Sequence, residues 1–271
     1  MLTGLGIGAA IARNLASKGC HLVLNYTSDS STKVTEELAE ELQSEHGVTA
    51  IPVQASLGSE TGPKHIVDVA KNHFQHPKTQ KFQIDIIINN AGVAGNRLIE
   101  EVSSDEFARQ YNVNVRGPLL LVQAALPYLP NDRSGRIVNL SSVSSSLGYI
   151  SQSIYGGTKA ALESMTRTWA RELAERATVN AVNPGPVATD MYLTTDETFQ
   201  ARNKPFTENT PLASVREGID SKETCENAAK AGGRPAYSEE VAGVVAILCT
   251  PEAGWTTGSV ICANGGMRFS L

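Results

Sequence analysis

Short apolar runs alternate with amphipathic stretches along the whole chain, and that rhythm admits few folds. Residues 84–90 (IDIIINN) are apolar on both faces, as a strand buried inside a parallel sheet must be. Strands are also expected at 21–25, at VTAIPV, from Arg136 in RIVNLSS, at VNAVN and at SVICA. Between them lie helical patterns. In TKVTEELAEELQSEHG, Val34, Leu38 and Leu42 recur every four residues until Gly47. GPKHIVDVAKNHF, residues 113–129, SIYGGTKAALESMTRTWARELAERA and EEVAGVVAILC read likewise. Strand and helix in turn imply an α/β domain: a parallel sheet with helices on both faces. No repeat or linker divides the chain, so residues 1–271 are read as one domain. Met191 to Tyr237 is polar and contains Pro205, Pro211 and Pro235, and is expected to be a functional loop or lid over a substrate.

Composition removes several classes. The 23 Lys and Arg against 28 Asp and Glu leave a net charge of −5, which argues against a nucleic-acid partner. The longest apolar run, 241–249, is too short to span a bilayer. No secretory signal is read at the N-terminus, so a cytoplasmic protein is expected. Cys20, Cys225, Cys249 and Cys262 form neither a CxxC pair nor a disulfide framework, and are read as buried free thiols. His73 and His76 form an HxxH pair that no carboxylate or thiol completes, so no metal is expected.

Chemistry concentrates at the carboxyl ends of the expected strands. Thr3-Gly4-Leu5-Gly6-Ile7-Gly8 runs into a helix, so backbone N–H groups and a positive helix end face outward. That suits a phosphate, and it equally suits a tight helix start. Asn89-Asn90-Ala91-Gly92 follows the central strand, where open α/β sheets bind ligands; an ordinary turn is the alternative. Tyr155 and Lys159 lie four apart on one helix face. A phenol titrates near 10, and a neighbouring ammonium favours its ionised form. Bringing it to neutrality takes roughly 4 kcal/mol of differential stabilisation. Gly156 and Gly157 weaken that helix by roughly 1 kcal/mol each, and are read as room for a ligand. Ser142 ends a strand and could orient a substrate oxygen; Ser144, Ser145 and Ser146 make a Ser-rich turn equally possible. Asn114 is either an exposed residue or a buried polar group holding a water. Residues 183–189 (NPGPVAT) form an extended loop that could present the Val187 backbone and the Thr189 hydroxyl.

This ordered set (TG…GIG, NNAG, Asn114, Ser142, YxxxK, NPGPVAT) resembles the short-chain dehydrogenase/reductase family over nearly the whole chain. It looks most like fungal keto reductases of the 3-oxoacyl-carrier-protein and hydroxynaphthalene reductase type. The resemblance implies a three-layer α/β fold with a Rossmann-like, doubly wound parallel sheet, and hydride transfer between a nicotinamide cofactor and a small-molecule carbonyl or secondary alcohol. Tyr155 would give the proton, Lys159 would lower its pKa and hold the ribose, and Ser142 would bond the carbonyl. Asn114 would hold a water that relays protons. Gly4, Gly6, Ile7 and Gly8 would hold phosphates; Asn90, Ala91 and Gly92 would line the ribose; Val187 and Thr189 would bind the carboxamide. After the strand at 21–25, Asn25-Tyr26-Thr27-Ser28 carries no carboxylate, as in relatives that take NADP(H). A homodimer or homotetramer through helices 113–129 and 153–176 is implied as well; Leu119–Val122, Ala124–Leu126, Met165 and Trp169 could serve the sheet on one side and a partner on the other.

The chain departs from the family pattern in three places. Two residues are missing between Gly4 and Gly6, only Met1 and Leu2 precede Thr3, and Ser56 stands where an acidic residue would grip adenine. The first strand is therefore expected to be largely missing from mid-sheet, and the start of the chain to be truncated. A catalytically impaired nucleotide-binding or partner-binding relative would also suit a shortened phosphate loop. A serine hydrolase would not, since no GxSxG elbow occurs.

Overall fold

The computed structural model of the protein describes residues 6–269. Six strands form: β1 (Leu22–Tyr26), β2 (Ala50–Gln54), β3 (Ile86–Asn89), β4 (Gly135–Leu140), β5 (Ala177–Pro184) and β6 (Val260–Ala263). Every residue of β4 and β5 is buried, which explains why neither face of these strands is polar-patterned. All pairings are parallel. β1 pairs with β2, and β3, β4, β5 and β6 follow one another in a second sheet. Among the described residues no strand joins β1 to β3.

Eleven α-helices are assigned among the described residues: α1 (Ile7–Ala16), α2 (Thr32–His46), α3 (Gly62–Phe74), α4 (Ser104–Tyr111), α5 (Gly117–Ala125), α6 (Ser144–Leu147), α7 (Ser153–Glu172), α8 (Asp190–Leu193), α9 (Glu197–Glu208), α10 (Lys222–Ala231) and α11 (Ser238–Leu248). α1 and α11 cover one face of the sheet, where Ile11, Val241 and Val245 meet Val138, Leu140 and Val182. α3, α5 and α7 cover the other, where Val67, Val122 and Trp169 meet Ile87, Ile137 and Val179. α2 packs Leu38 and Leu42 on Leu24 of β1. Each fully buried aliphatic side chain of this kind stabilises the fold by about 1.5–3 kcal/mol. Val34, expected on the same stripe, is exposed, and Thr35 takes the buried position instead. Gly47 closes α2 at φ +66°, a left-handed conformation that favours glycine.

Three expectations are corrected. The helix expected over 113–129 is broken: α4 precedes it, Asn112–Arg116 form a π turn, and α5 then runs only to Ala125. Pro118 has no N–H to offer the Asn114 carbonyl four residues back, and the Gly117 N–H reaches back to Asn112 instead. The stretch 191–237 is mostly helical rather than loop. Asp196 accepts from the Phe199 N–H and Ser221 from the Thr224 N–H, and these caps start α9 and α10. The four cysteines are half-buried rather than fully buried. No helix among the described residues is long and apolar enough to cross a membrane.

Candidate active site

The carboxyl ends of β3, β4 and β5 open into a cleft of about 1020 Å³. β4 delivers Ser142 just past its end, and the short α6 turns the chain into α7, whose first turn carries Tyr155. A ladder of side chains fixes this corner. Asn89 donates to Asn139 at 2.7 Å and Asn139 donates to Thr166 at 2.8 Å, tying β3, β4 and α7 together.

Tyr155 and Lys159 are both buried and both line the cleft. The Lys159 ammonium donates to the Leu140 carbonyl at 2.7 Å and sits 5.6 Å from the centre of the Tyr155 ring. Burial pushes the phenol up to about 12, partly opposed by its hydrogen bond with Ser142. Burial also brings the ammonium down to about 8. In this arrangement desolvation is the largest influence on the phenol. With a high pKa the phenol stays protonated near neutrality.

Ser142 is half-buried and heads a hydrogen-bond chain. It donates to Ser144 at 3.1 Å, Ser144 donates to the Gln152 carbonyl oxygen at 2.6 Å, and the Gln152 amide donates to Asn96 at 2.9 Å. Asn114 is buried, and its side chain grips Val93 on both sides: its oxygen accepts from the Val93 N–H at 2.8 Å and its amide donates to the Val93 carbonyl at 2.8 Å. A third bond, to Thr158 at 3.0 Å, ties the loop after β3 to α7. Asn114 therefore braces the loop after β3 against α7.

The two glycines after Tyr155 do not make room for a ligand. A Cβ on Gly156 would lie 2.5 Å from the Ser144 carbonyl oxygen, and one on Gly157 would lie 3.1 Å from the Tyr111 hydroxyl. Their small size lets α6 and α4 approach α7. Gly92 is different: a Cβ there would stand 3.4 Å from the Lys159 ammonium, inside the cleft wall.

Gly6, Ile7, Asn90, Gly92 and Thr189 also line the cleft. Gly6 caps α1 with no side-chain hydrogen bond, and no acidic residue stands in the first turn. The Ala9 and Ala10 N–H groups both return to the Gly6 carbonyl, and the N–H groups of Ile7 and Gly8, at the positive helix end, have no partner within the helix. Gly4 lies outside the described residues. Val187 is buried, with its carbonyl accepting from the Thr189 N–H at 2.7 Å, while Ala188 and Pro186 anchor the loop to Ala236.

The adenine-side residues are placed apart from the cleft lining. Asn25 spends its amide on the Val53 and Ala55 carbonyls, Tyr26 is buried, Thr27 is exposed, and Ser28 bonds Ser30 and Ser31. Asp29, the next carboxylate in the chain, accepts from Gln54 at 2.6 Å. Ser56 is exposed and its carbonyl closes a turn with Ser59. Ala91 lines the neighbouring slot between β1 and β3.

The outer wall of the cleft escaped the sequence reading. Asn96, Arg97, Ser103, Glu106 and Arg109 line it, with Thr194, Thr195 and Asp196 opposite. Arg109 chelates Glu106 at 2.8 Å through both nitrogens and holds its carboxyl below the usual range. Only the Ser103-x-x-Glu106 helix-start signature could have pointed there.

Comparison with known proteins gives this geometry a context. The family pattern described as short chain dehydrogenase matches residues 2–199. An L-xylulose reductase of Aspergillus niger is 53% identical over 98% of this chain and 94% of its own. An L-xylo-3-hexulose reductase of Hypocrea jecorina is 50% identical over the same shares. Among solved structures, a blue fluorescent protein from a metagenomic library, in complex with NADPH, superposes with a TM-score of 0.81 at 30% identity, covering 97% of this chain and 94% of that one.

Proposed function

The chain belongs to the short chain dehydrogenase family, and from that premise we propose that it is an NADPH-dependent reductase of a small polyhydroxylated ketone, an open-chain ketose. The observation that carries this reading is a buried Tyr155 phenol, hydrogen-bonded with Ser142, in the wall of a cleft that Asn96, Ser103, Thr194 and Thr195 also line.

The residues fit a nicotinamide dinucleotide. The N–H groups at the positive start of α1, which no helix carbonyl takes up, suit a diphosphate, and Gly92 leaves space beside Lys159 that a side chain would fill. Such a cofactor supplies a hydride to the carbonyl carbon. As that carbon is reduced, negative charge grows on the oxygen. The Tyr155 phenol transfers its proton to that oxygen, and the Ser142 hydroxyl positions it by hydrogen bonding. Lys159 steadies the phenolate left behind. The product is a secondary alcohol, and solvent returns the proton to Tyr155.

The cleft wall supports the substrate class. Asn96, Ser103, Thr194 and Thr195 are hydrogen-bonding groups suited to hydroxyls, and the relatives named for sugar ketones are about half identical. NADP(H) over NAD(H) rests on the neutral Asn25-Tyr26-Thr27-Ser28 segment, with Asp29 turned onto Gln54.

The test is NADPH or NADH oxidation with the purified chain on a panel of ketoses and planar aromatic ketones. We expect the higher kcat/KM with NADPH and a ketose. Higher efficiency with NADH would overturn the cofactor assignment, and preference for the aromatic ketones would overturn the substrate class. Failure to bind either nucleotide would favour the non-catalytic relative.

A further inference from the structure

The polar side chains of the cleft wall differ in what they have left to offer. Thr194 donates to the Asp190 carbonyl at 2.6 Å and Thr195 donates to the Tyr192 carbonyl at 2.7 Å, so each can only accept. Ser103 is exposed and accepts from the Glu106 N–H at the start of α4. Asn96 is half-buried, and its oxygen accepts from the Gln152 amide at 2.9 Å. Its own amide N–H groups have no partner among the described residues, and it lines the cleft.

A side chain on a loop can discriminate between ligands only if the loop is held. Asn114 grips both backbone groups of Val93, Arg109 donates to the Ala94 carbonyl at 3.0 Å, and the Arg97 N–H donates to the Ser151 carbonyl at 2.9 Å. Gly95 has no room for a side chain, since a Cβ there would collide with the Glu106 carboxylate. Ser151 stands at φ +70°, a left-handed conformation that is costly for serine and persists only where the surroundings impose it. The strain falls where the loop after β3 meets the turn into α7.

Gln152, the next residue, is buried and ties this loop to the reacting corner. Its oxygen accepts from Ser144 at 2.6 Å, and Ser144 accepts from Ser142 at 3.1 Å. With its oxygen committed to Ser144, its nitrogen faces the Asn96 oxygen, and the Asn96 nitrogen is turned away from Gln152. The tie outlasts substrate binding. Ser142 can turn its proton to a carbonyl oxygen while the Ser144 N–H still holds it at 3.2 Å and Ser144 still donates to Gln152.

Resting on the ketose reading above, we propose that Asn96 reads one hydroxyl of the substrate, donating to its oxygen, and that Gln152 is a positioning residue that sets Asn96 in register with Ser142. The carbonyl oxygen is held at one end of the tie and the hydroxyl at the other, so the tie selects where along the ketose that hydroxyl stands.

The test measures kcat/KM for L-xylulose and for analogues that each lack one hydroxyl, with wild type, Asn96→Leu and Gln152→Leu. In wild type, loss of one particular hydroxyl should cost at least about tenfold, and each variant should bring that ratio below about threefold. The ratios for the other analogues should move by less than about twofold. Melting temperature and NADPH affinity are read alongside, and a variant that does not fold is replaced by alanine at the same position. An unchanged ratio in the Asn96 variant overturns the proposal. So do ratios that all fall together, which would report a loosened wall. A ratio lost in the Asn96 variant and kept in the Gln152 variant overturns the positioning role. Wild type that reduces other ketones and no ketose overturns the function reading itself, whereas turnover of L-xylulose with unchanged ratios overturns the role of Asn96 alone.

Discussion

Burial moves Tyr155 and Lys159 in opposite directions, and the consequence for stability can be worked out from Lys159. Its ammonium titrates at about 8 in the folded chain against an ordinary 10.5. Between these values the unfolded chain holds a proton that the folded chain has released, so stability rises with pH across that window. Below pH 8 both states are protonated and the cost of burying the ammonium is complete, of order 3 kcal/mol. Losing the donor to the Leu140 carbonyl offsets about 1 kcal/mol of any relief. Lys159→Met should therefore melt a few degrees higher than wild type at pH 7, with the gap closing toward pH 10.5. A lower melting temperature at pH 7 would mean that the ammonium is a net stabiliser. Tyr155, Lys159 and Ser142 were legible in the sequence, because helix spacing and strand ends place them without knowledge of distant contacts. Gln152 and Asn96 were not. Their bond spans 56 positions, and a single polar residue in a loop carries no periodic signal.

At the scale of elements, α7 depends on two adjacent glycines for different reasons. Gly156 faces backbone, the Ser144 carbonyl of α6, while Gly157 faces the end of the Tyr111 side chain, which can swing aside. Gly156→Ala should lower the melting temperature by several degrees and disturb the Ser142 corner. Gly157→Ala should be neutral or slightly stabilising, since alanine favours a helix by about 1 kcal/mol. Equal effects from the two substitutions, read by thermal melts, would contradict this packing. The strands and the capped helices α2, α3 and α11 were readable from periodicity and end signals. The break at Asn112–Arg116 was foreshadowed only by Pro118, whose missing N–H acts four residues upstream. The helices over 191–237 were obscured because Pro205 sits inside α9 and the exposed faces are polar.

Over the whole molecule, three layers position the cleft at the carboxyl ends of β3, β4 and β5, where the strand order predicts a ligand site. Of the apolar residues expected to serve the sheet on one side and a partner on the other, Val122, Ala125 and Trp169 are buried against the sheet. Phe107 on α4 and Leu119 on α5 remain exposed. An oligomer through this face should be visible by light scattering at micromolar concentration and weaken in Phe107→Glu; a monomeric mass for the unmodified chain would refute it. Substrate identity was the least legible property, because the polar wall of Asn96, Ser103, Thr194 and Thr195 is assembled from segments about a hundred residues apart. The fold can be read from local patterns, whereas this wall exists only once the chain has folded. The most direct test of the account is the NADPH-linked reduction of L-xylulose by wild type and Tyr155→Phe, with NADPH affinity measured on both. The account predicts unchanged NADPH affinity and a fall in kcat of at least about 10²-fold, the scale of general acid catalysis. Turnover by Tyr155→Phe within a few-fold of wild type would contradict it.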